Sequence, residues 1–286
     1  MHIQIKERLE QVINNLKELP SIPDVAGSVI SLVNNPDVSF RTIADEISKD
    51  QAITTNVLKL CNSAYFNRGK EISSVERAVV TLGSKEVKDI VVLAATKTIL
   101  DKSVIGYDLA KGDLWKHGLA VAVLSKKISL LKNKKSISDI AFTGGIIHDV
   151  GKTILALYVQ KTYNEILDTV LKKQIPFHLA EREVMGFDHQ EIGEQILKKW
   201  SFPDVLLNIV RYHHEPDNAP EKYKLITSIV HVANTICLMG GIGIGSDGLY
   251  HEMNDNAVKL LGFKNAELEE LYSDLPAIIG DTDAIQ

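Results

Sequence analysis

Val121-Ala122-Val123-Leu124-Ser125-Lys126-Lys127-Ile128-Ser129-Leu130-Leu131 and Leu225-Ile226-Thr227-Ser228-Ile229-Val230-His231-Val232-Ala233-Asn234-Thr235-Ile236-Cys237-Leu238 decide the fold class. Both runs outlast a typical strand of about 5–6 residues, and their apolar positions recur at helical spacing. Outward from them the pattern repeats. Ile5, Leu9, Val12, Ile13 and Leu16 imply a helix that must stop before Leu19-Pro20-Ser21-Ile22-Pro23, where two prolines impose extended backbone. A second helical stretch over 25–33 ends at Asn34-Asn35-Pro36. Ser73 with Glu76, Ser136 with Asp139 and Asp188 with Glu191 mark further starts, each a cap residue followed three positions on by an acid able to return a hydrogen bond. Caps recur and strand patterns do not, so the sequence predicts an all-α protein.

Gly, Asp, Lys and Ser cluster over 101–113, between two apolar helices. The expected division is a helical amino-terminal lobe over 1–105 packed on a larger helical domain over 106–286. Past Ala266 come Glu267, Glu269, Glu270, Asp274, Asp281 and Asp283 without Lys or Arg, the pattern of a solvated acidic tail. At 286 residues, 45% hydrophobic and 24% charged, the chain has the composition of a folded globular protein, and no repeat or low-complexity tract interrupts it. A net charge of −5 disfavours nucleic acid held on a broad basic face. Cys61 and Cys237 are far apart, which excludes a disulfide scaffold and a cysteine zinc site. The best apolar run, over 89–100, is broken by Lys97 well short of the ~18 residues of a membrane span, and no signal-peptide core opens the chain. A cytoplasmic protein with no membrane association is the expectation.

Five of the nine histidines stand beside other candidate donors: His117 in Leu114-Trp115-Lys116-His117, His148 next to Asp149, His189 after Asp188, and adjacent His213-His214. Imidazole and carboxylate together suit a divalent transition ion such as Fe, Mn, Zn or Ni. No His-x-x-x-His pair is present, so the donors would have to converge from four or five helices. Spacing alone is a weak signal, because an isolated His on an apolar helix face is more often a hydrogen-bonded core residue. His2, His178 and His251 lie in no motif and receive no role. Gly243-Ile244-Gly245-Ser246-Asp247-Gly248 spells a dinucleotide fingerprint, but it follows a helix rather than a strand and reads as a flexible loop.

The wording around the histidines narrows the reading. Phe142-Thr143-Gly144-Gly145-Ile146-Ile147-His148-Asp149-Val150-Gly151-Lys152 resembles the HD-domain superfamily motif. Leu19-Pro20-Ser21-Ile22-Pro23, Asn62-Ser63-Ala64-Tyr65-Phe66, Ala78-Val79-Val80-Thr81-Leu82-Gly83, Leu114-Trp115-Lys116-His117, Glu181-Arg182-Glu183 through Gly186-Phe187-Asp188-His189, and Trp200-Ser201-Phe202-Pro203 ahead of His213-His214 follow in order. Together they resemble the HDOD family, the HD-related output domain of bacterial signalling proteins, over roughly residues 16–215. The resemblance implies a helical amino-terminal lobe on an HD-type multi-helix domain and a role in signal output, without an established reaction. It places His117, His148, Asp149, His189, His213 and His214 at ligand positions for one or two ions. Lys152 falls where a phosphate contact is made in active relatives; read from the sequence alone it is a solvated lysine at a helix start. His213 and His214, neighbours about 100° apart on a helix, could turn toward different ions only at a loose helix end, which Glu215-Pro216 supplies. Asp113 reads as a capping residue.

Two departures from the superfamily pattern bear on activity. Asn234 stands where the last ligand is an Asp; its amide can lend an oxygen but removes a negative charge opposite the cation. No Gly-Tyr-Pro run follows His213-His214-Glu215, which disfavours cleavage of cyclic-di-GMP. The resemblance therefore implies a regulatory protein, non-catalytic, acting through an unidentified signalling partner, with a partly retained metal pocket. The alternative is a metal-dependent phosphohydrolase acting on a nucleotide or other phosphorylated small molecule, with Lys152 neutralising the substrate.

Overall fold

The computed structural model describes residues 27–29, 32, 37–63, 65, 66, 69 and 71–283. The helix expected over 5–16, the proline-bounded Leu19 to Pro23 and most of the helix expected over 25–33 lie outside the described residues. Among those described there is no strand, and one isolated antiparallel bridge joins Val104 to Leu109. The chain is all-α. It divides into two compact units, one containing Leu100–Leu275 and the other the described residues of Ser21–Ile99 and Pro276–Gln286.

In the second of these units, α1 (Phe40–Ile47) and α2 (Gln51–Cys61) start on Ser39 and Asp50, whose side chains accept from the amides of Thr42 and Ile53. α3 (Val75–Leu82) starts on Ser74, one residue later than the Ser73 cap expected, and α4 (Ser84–Leu100) follows. Asn62 closes α2 and staples the chain: its amide donates to the carbonyls of Leu58 and Ile72 and accepts from Ile72 N at 2.7 Å.

The unit containing Leu100–Leu275 is built around α5 (Asp113–Leu131) and α6 (Ser138–Ile147). These helices cross closely because glycine stands at the crossing. A Cβ on Gly145 would lie 2.6 Å from Ala122 Cα, and one on Gly118 2.7 Å from the Ile146 carbonyl oxygen. α6 begins after the 3₁₀ turn Lys135–Ile137 without a side-chain cap, so Ser136 does not play the capping role expected of it. α7 (Lys152–Lys173), α8 (Phe177–Met185), α9 (His189–Lys199), α10 (Asp204–Tyr212) and α11 (Glu221–Met239) complete the frame. The Asp188 cap of α9 forms as expected, accepting from Glu191 N at 2.9 Å. Leu119, Phe142, Ile146, Ile229 and Ala233 are at most 1% exposed at the centre of the α5, α6 and α11 packing.

The acidic terminus is not a solvated tail. After α12 (Asp255–Leu260) it folds into α13 (Asn265–Ser273) and α14 (Leu275–Asp283). Leu271 is buried, Asp274 pairs with Lys127 of α5, and Glu267 pairs with Lys132 at the end of that helix. The apolar spacing of Leu268, Leu271 and Leu275 outweighs the local charge excess. No single helix among the described residues is long and apolar enough to cross a membrane.

Candidate metal centre

Five helices and the turns at their ends deliver the predicted donors to one place. His117 comes from the first turns of α5 and Asn234 from α11. His148 caps the end of α6, with Asp149 in the turn beyond it; His189 opens α9, and His213 and His214 follow the end of α10. All except His214 are at most 3% exposed. Asp149 is the hub. Its Oδ1 lies 3.5 Å from His189 Nε2 and 3.5 Å from His213 Nε2, while Oδ2 lies 3.3 Å from His148 Nε2 and 3.8 Å from His117 Nε2. Two donor groups result, Asp149 with His189, His213 and His214, and Asp149 with His117 and His148, each offering one atom per residue within 4.8 Å of the others.

The outer ring nitrogens fix the inner ones. His117 Nδ1 lies 2.8 Å from the Ile242 carbonyl, His148 Nδ1 2.7 Å from that of Gly145, and His213 Nδ1 2.8 Å from that of Val210. A carbonyl only accepts, so each Nδ1 carries the proton and each Nε2 turns a lone pair inward, the arrangement that orients imidazoles for a metal. His189 does the same through Glu181, whose Oε2 lies 2.8 Å from Nδ1. His148 Nε2, His213 Nε2 and Asp149 Oδ1 are buried and find no hydrogen-bond partner, although buried polar atoms are normally paired. Orphaned imidazole nitrogens around an orphaned carboxylate oxygen fit a divalent transition ion.

Burial drives the His117 imidazole down to about 4, with His148 adding to the effect and Asp149 opposing it. Burial likewise holds His213 down to about 3 and His214 well below the usual range. These rings are neutral at pH 7, the form that ligates. Burial alone would raise the Asp149 carboxyl, but His148 and Lys152 override it and hold it well below the ordinary range. His189 differs: burial lowers it, yet the charge and hydrogen bond of Glu181 carry its pKa above the usual value. Glu181 also accepts from the buried Tyr107 hydroxyl, whose own pKa is pushed well up by burial and by Glu181.

Several sequence expectations change. Lys152 is not solvated: it is 3% exposed, and its ammonium lies 2.6 Å from Asp149 Oδ2 and pairs with Asp247. Burial works against its charge, but the two carboxylates raise its pKa above the usual value. The glycine-rich stretch is not a flexible loop. A Cβ on Gly243 would overlap the Asp113 carbonyl and one on Gly245 that of Tyr107, and the 3₁₀ turn Ser246–Gly248 directly after these close approaches delivers the buried Asp247. Asp113 lies inside α5 rather than at its cap, and it braces the preceding turn by accepting from Ala110 N at 2.8 Å. His213 and His214 do part at the helix end, but both join the same donor group, with His214 Nε2 3.1 Å from His189 Nε2.

Two histidines given no role from sequence gather here as well. His178 stacks on His214, ring centroids 4.4 Å apart and 9° between planes, and His251 lies 4.8 Å from His214. The three line a cavity of about 410 Å³ beside the donor group. Asp247 and His251 lie far along the chain from the motif residues, and no spacing ties them to it.

Residues 19–216 match the family model of the HDOD domain. The fold is similar to the crystal structure of an HDOD domain protein with unknown function from Geobacter sulfurreducens, with 25% sequence identity, 99% of each chain covered and a TM-score of 0.80. It is also similar to that of a protein from Shewanella amazonensis SB2B named as a candidate phosphohydrolase, at 23% identity, 98% of each chain covered and a TM-score of 0.73; this likeness shows the fold alone. A protein of Treponema pallidum (strain Nichols) is 24% identical over 231 residues, which make up 80% of this chain and 44% of that relative. The chain spans less than half the length of the relative it matches.

Proposed function

Because the chain belongs to the HDOD domain family, we propose that it is a regulatory module that binds a divalent transition ion around Asp149 and acts through a macromolecular partner rather than by hydrolysis. The position of Lys152 carries this reading. A lysine that neutralises a substrate phosphate must present its ammonium to the substrate, whereas this one is buried between two carboxylates of its own chain. Asn234 points the same way, since a neutral amide in place of a carboxylate weakens the hold on an ion and its activation of water. A bound ion would supply Lewis acidity and lower the pKa of a coordinated water. The protein's own part is to hold neutral imidazoles in place and exclude solvent.

The rival reading, a phosphohydrolase, draws support from the orphaned Asp149 Oδ1 and from the cavity that reaches His214, which together could admit a phosphoryl oxygen. One experiment separates the two. The purified chain is loaded with Mn²⁺ or Fe²⁺ and assayed against bis(4-nitrophenyl) phosphate beside His148→Ala and Asp149→Ala. Metal retention without turnover above the two variants is expected. Turnover that disappears in both variants overturns the regulatory reading.

A further inference from the structure

The two donor groups around Asp149 are not equivalent. On the Oδ1 side stand three imidazoles, His189, His213 and His214, and an oxygen that no hydrogen bond claims. On the Oδ2 side stand only His117 and His148, with the neutral amide of Asn234 in contact with His117. The Oδ2 oxygen already accepts from the Lys152 ammonium at 2.6 Å, and Asp247 grips the same ammonium from the other side. An ion on that side would compete with a fixed cation for the carboxylate oxygen of that donor group.

Charge balance leads to the same asymmetry. Asp149 and Asp247 are both buried, and both already share the buried Lys152 ammonium. A divalent ion on the Oδ2 side would stand beside that ammonium in a region shielded from water, where two unscreened cations repel strongly. Resting on the metal-binding reading above, we infer that the pocket takes one divalent ion, held on the Oδ1 side by Asp149, His189, His213 and His214. The Lys152 ammonium, clamped by Asp149 and Asp247, is the built-in cation of the Oδ2 side and stands in place of a second ion.

The glycine-rich turn gains a purpose from this. Its close packing at Gly243 and Gly245 fixes Asp247, which anchors Lys152 over Oδ2. Lys152 and Asp247 are then positioning residues that set how many ions bind.

The test uses Mn²⁺ alone on the full chain, with equilibrium dialysis for stoichiometry and electron paramagnetic resonance for nuclearity. Wild type is expected to bind a single Mn²⁺ with the spectrum of an isolated ion. His189→Gln, His213→Gln and the more exposed His214→Ala should each weaken binding by about tenfold or more, the scale on which changes around a metal ligand act, whereas His117→Gln should leave affinity within about threefold. Lys152→Met, and the charge-balanced Lys152→Met with Asp247→Asn in case the single variant does not fold, should bind two ions with a spin-coupled spectrum. Two ions in wild type, or binding abolished by His117→Gln and kept by the other three, overturns the inference while leaving the metal-binding reading intact. No Mn²⁺ binding at all overturns both.

Discussion

His117 Nε2 and Asn234 Oδ1 stand 2.9 Å apart in the buried heart of the site. The His117 proton is committed to the Ile242 carbonyl on Nδ1, so Nε2 offers a lone pair to an atom that cannot donate. Two acceptors at this distance repel unless a cation lies between them or the amide turns its NH₂ group to the ring. An amide can relieve the contact by turning its NH₂ group to the ring and a carboxylate cannot, so the residue at 234 bears directly on the Oδ2 side of the pocket.

Asn234→Asp tests that influence. A carboxylate beside His117 should raise its pKa from about 4 by ~1–3 units, because the opposite charge favours the imidazolium. It also restores an anionic donor on the weak side, so Mn²⁺ affinity there should rise and the stoichiometry move toward two. Proton NMR of the histidine ring and a metal titration read the two effects. An unshifted His117 with unchanged stoichiometry would show that Asn234 does not govern this half of the site.

Glu181→Gln tests the brace behind His189. Glu181 accepts from His189 Nδ1, from His189 N at 3.2 Å and from the Tyr107 hydroxyl, and an amide cannot satisfy all three with the same charge. Loss of a carboxylate behind a ligating imidazole costs about 10–100-fold in metal affinity. The metal-free protein should lose about 1–3 kcal/mol, the penalty for leaving buried partners unsatisfied. Dialysis and urea unfolding measure these separately; an unchanged affinity would remove Glu181 from the metal's support.

Fold and donor set were legible to different depths. Helical periodicity marked α5 and α11, and the ordered motifs named every imidazole and carboxylate of the two donor groups before any coordinates. Local cap rules succeeded at Asp188 and missed at Ser73 and Ser136, since a shift of one residue or a preceding 3₁₀ turn depends on tertiary packing. Asp247, His178 and His251 were illegible as site residues, because their role comes from chain segments meeting in space. The fate of Lys152 was hidden for the same reason: its partner Asp247 is 95 residues away.

Asp247→Ala tests the anchor of that lysine. Removing one carboxylate from a buried pair leaves a charge partly uncompensated, which costs up to about 3–5 kcal/mol when no partner remains. Asp149 still holds Lys152, so the loss should fall below that range, and Lys152→Met with Asp247→Ala should recover part of it. Equal unfolding midpoints for wild type and Asp247→Ala would show that the turn does not anchor Lys152.

The pH profile of the metal-free chain follows from two opposite shifts. His117 and His213 titrate at about 4 and about 3 when folded, against about 6.5 when unfolded, so below 6.5 the unfolded chain binds more protons. Their contribution is fully present above pH 6.5 and is lost as the pH falls toward 4, at up to about 1.4 kcal/mol per pH unit for each ring. His189 is shifted up, so its contribution is fully present below about 6.5 and is lost as the pH rises through its folded value. The urea midpoint should therefore fall on both sides of neutrality. Glu181→Gln should flatten only the alkaline side, and Mn²⁺, which binds only deprotonated imidazole, should steepen the acid side. A midpoint that does not change between pH 4 and pH 6.5 would mean that these rings are not held neutral by burial.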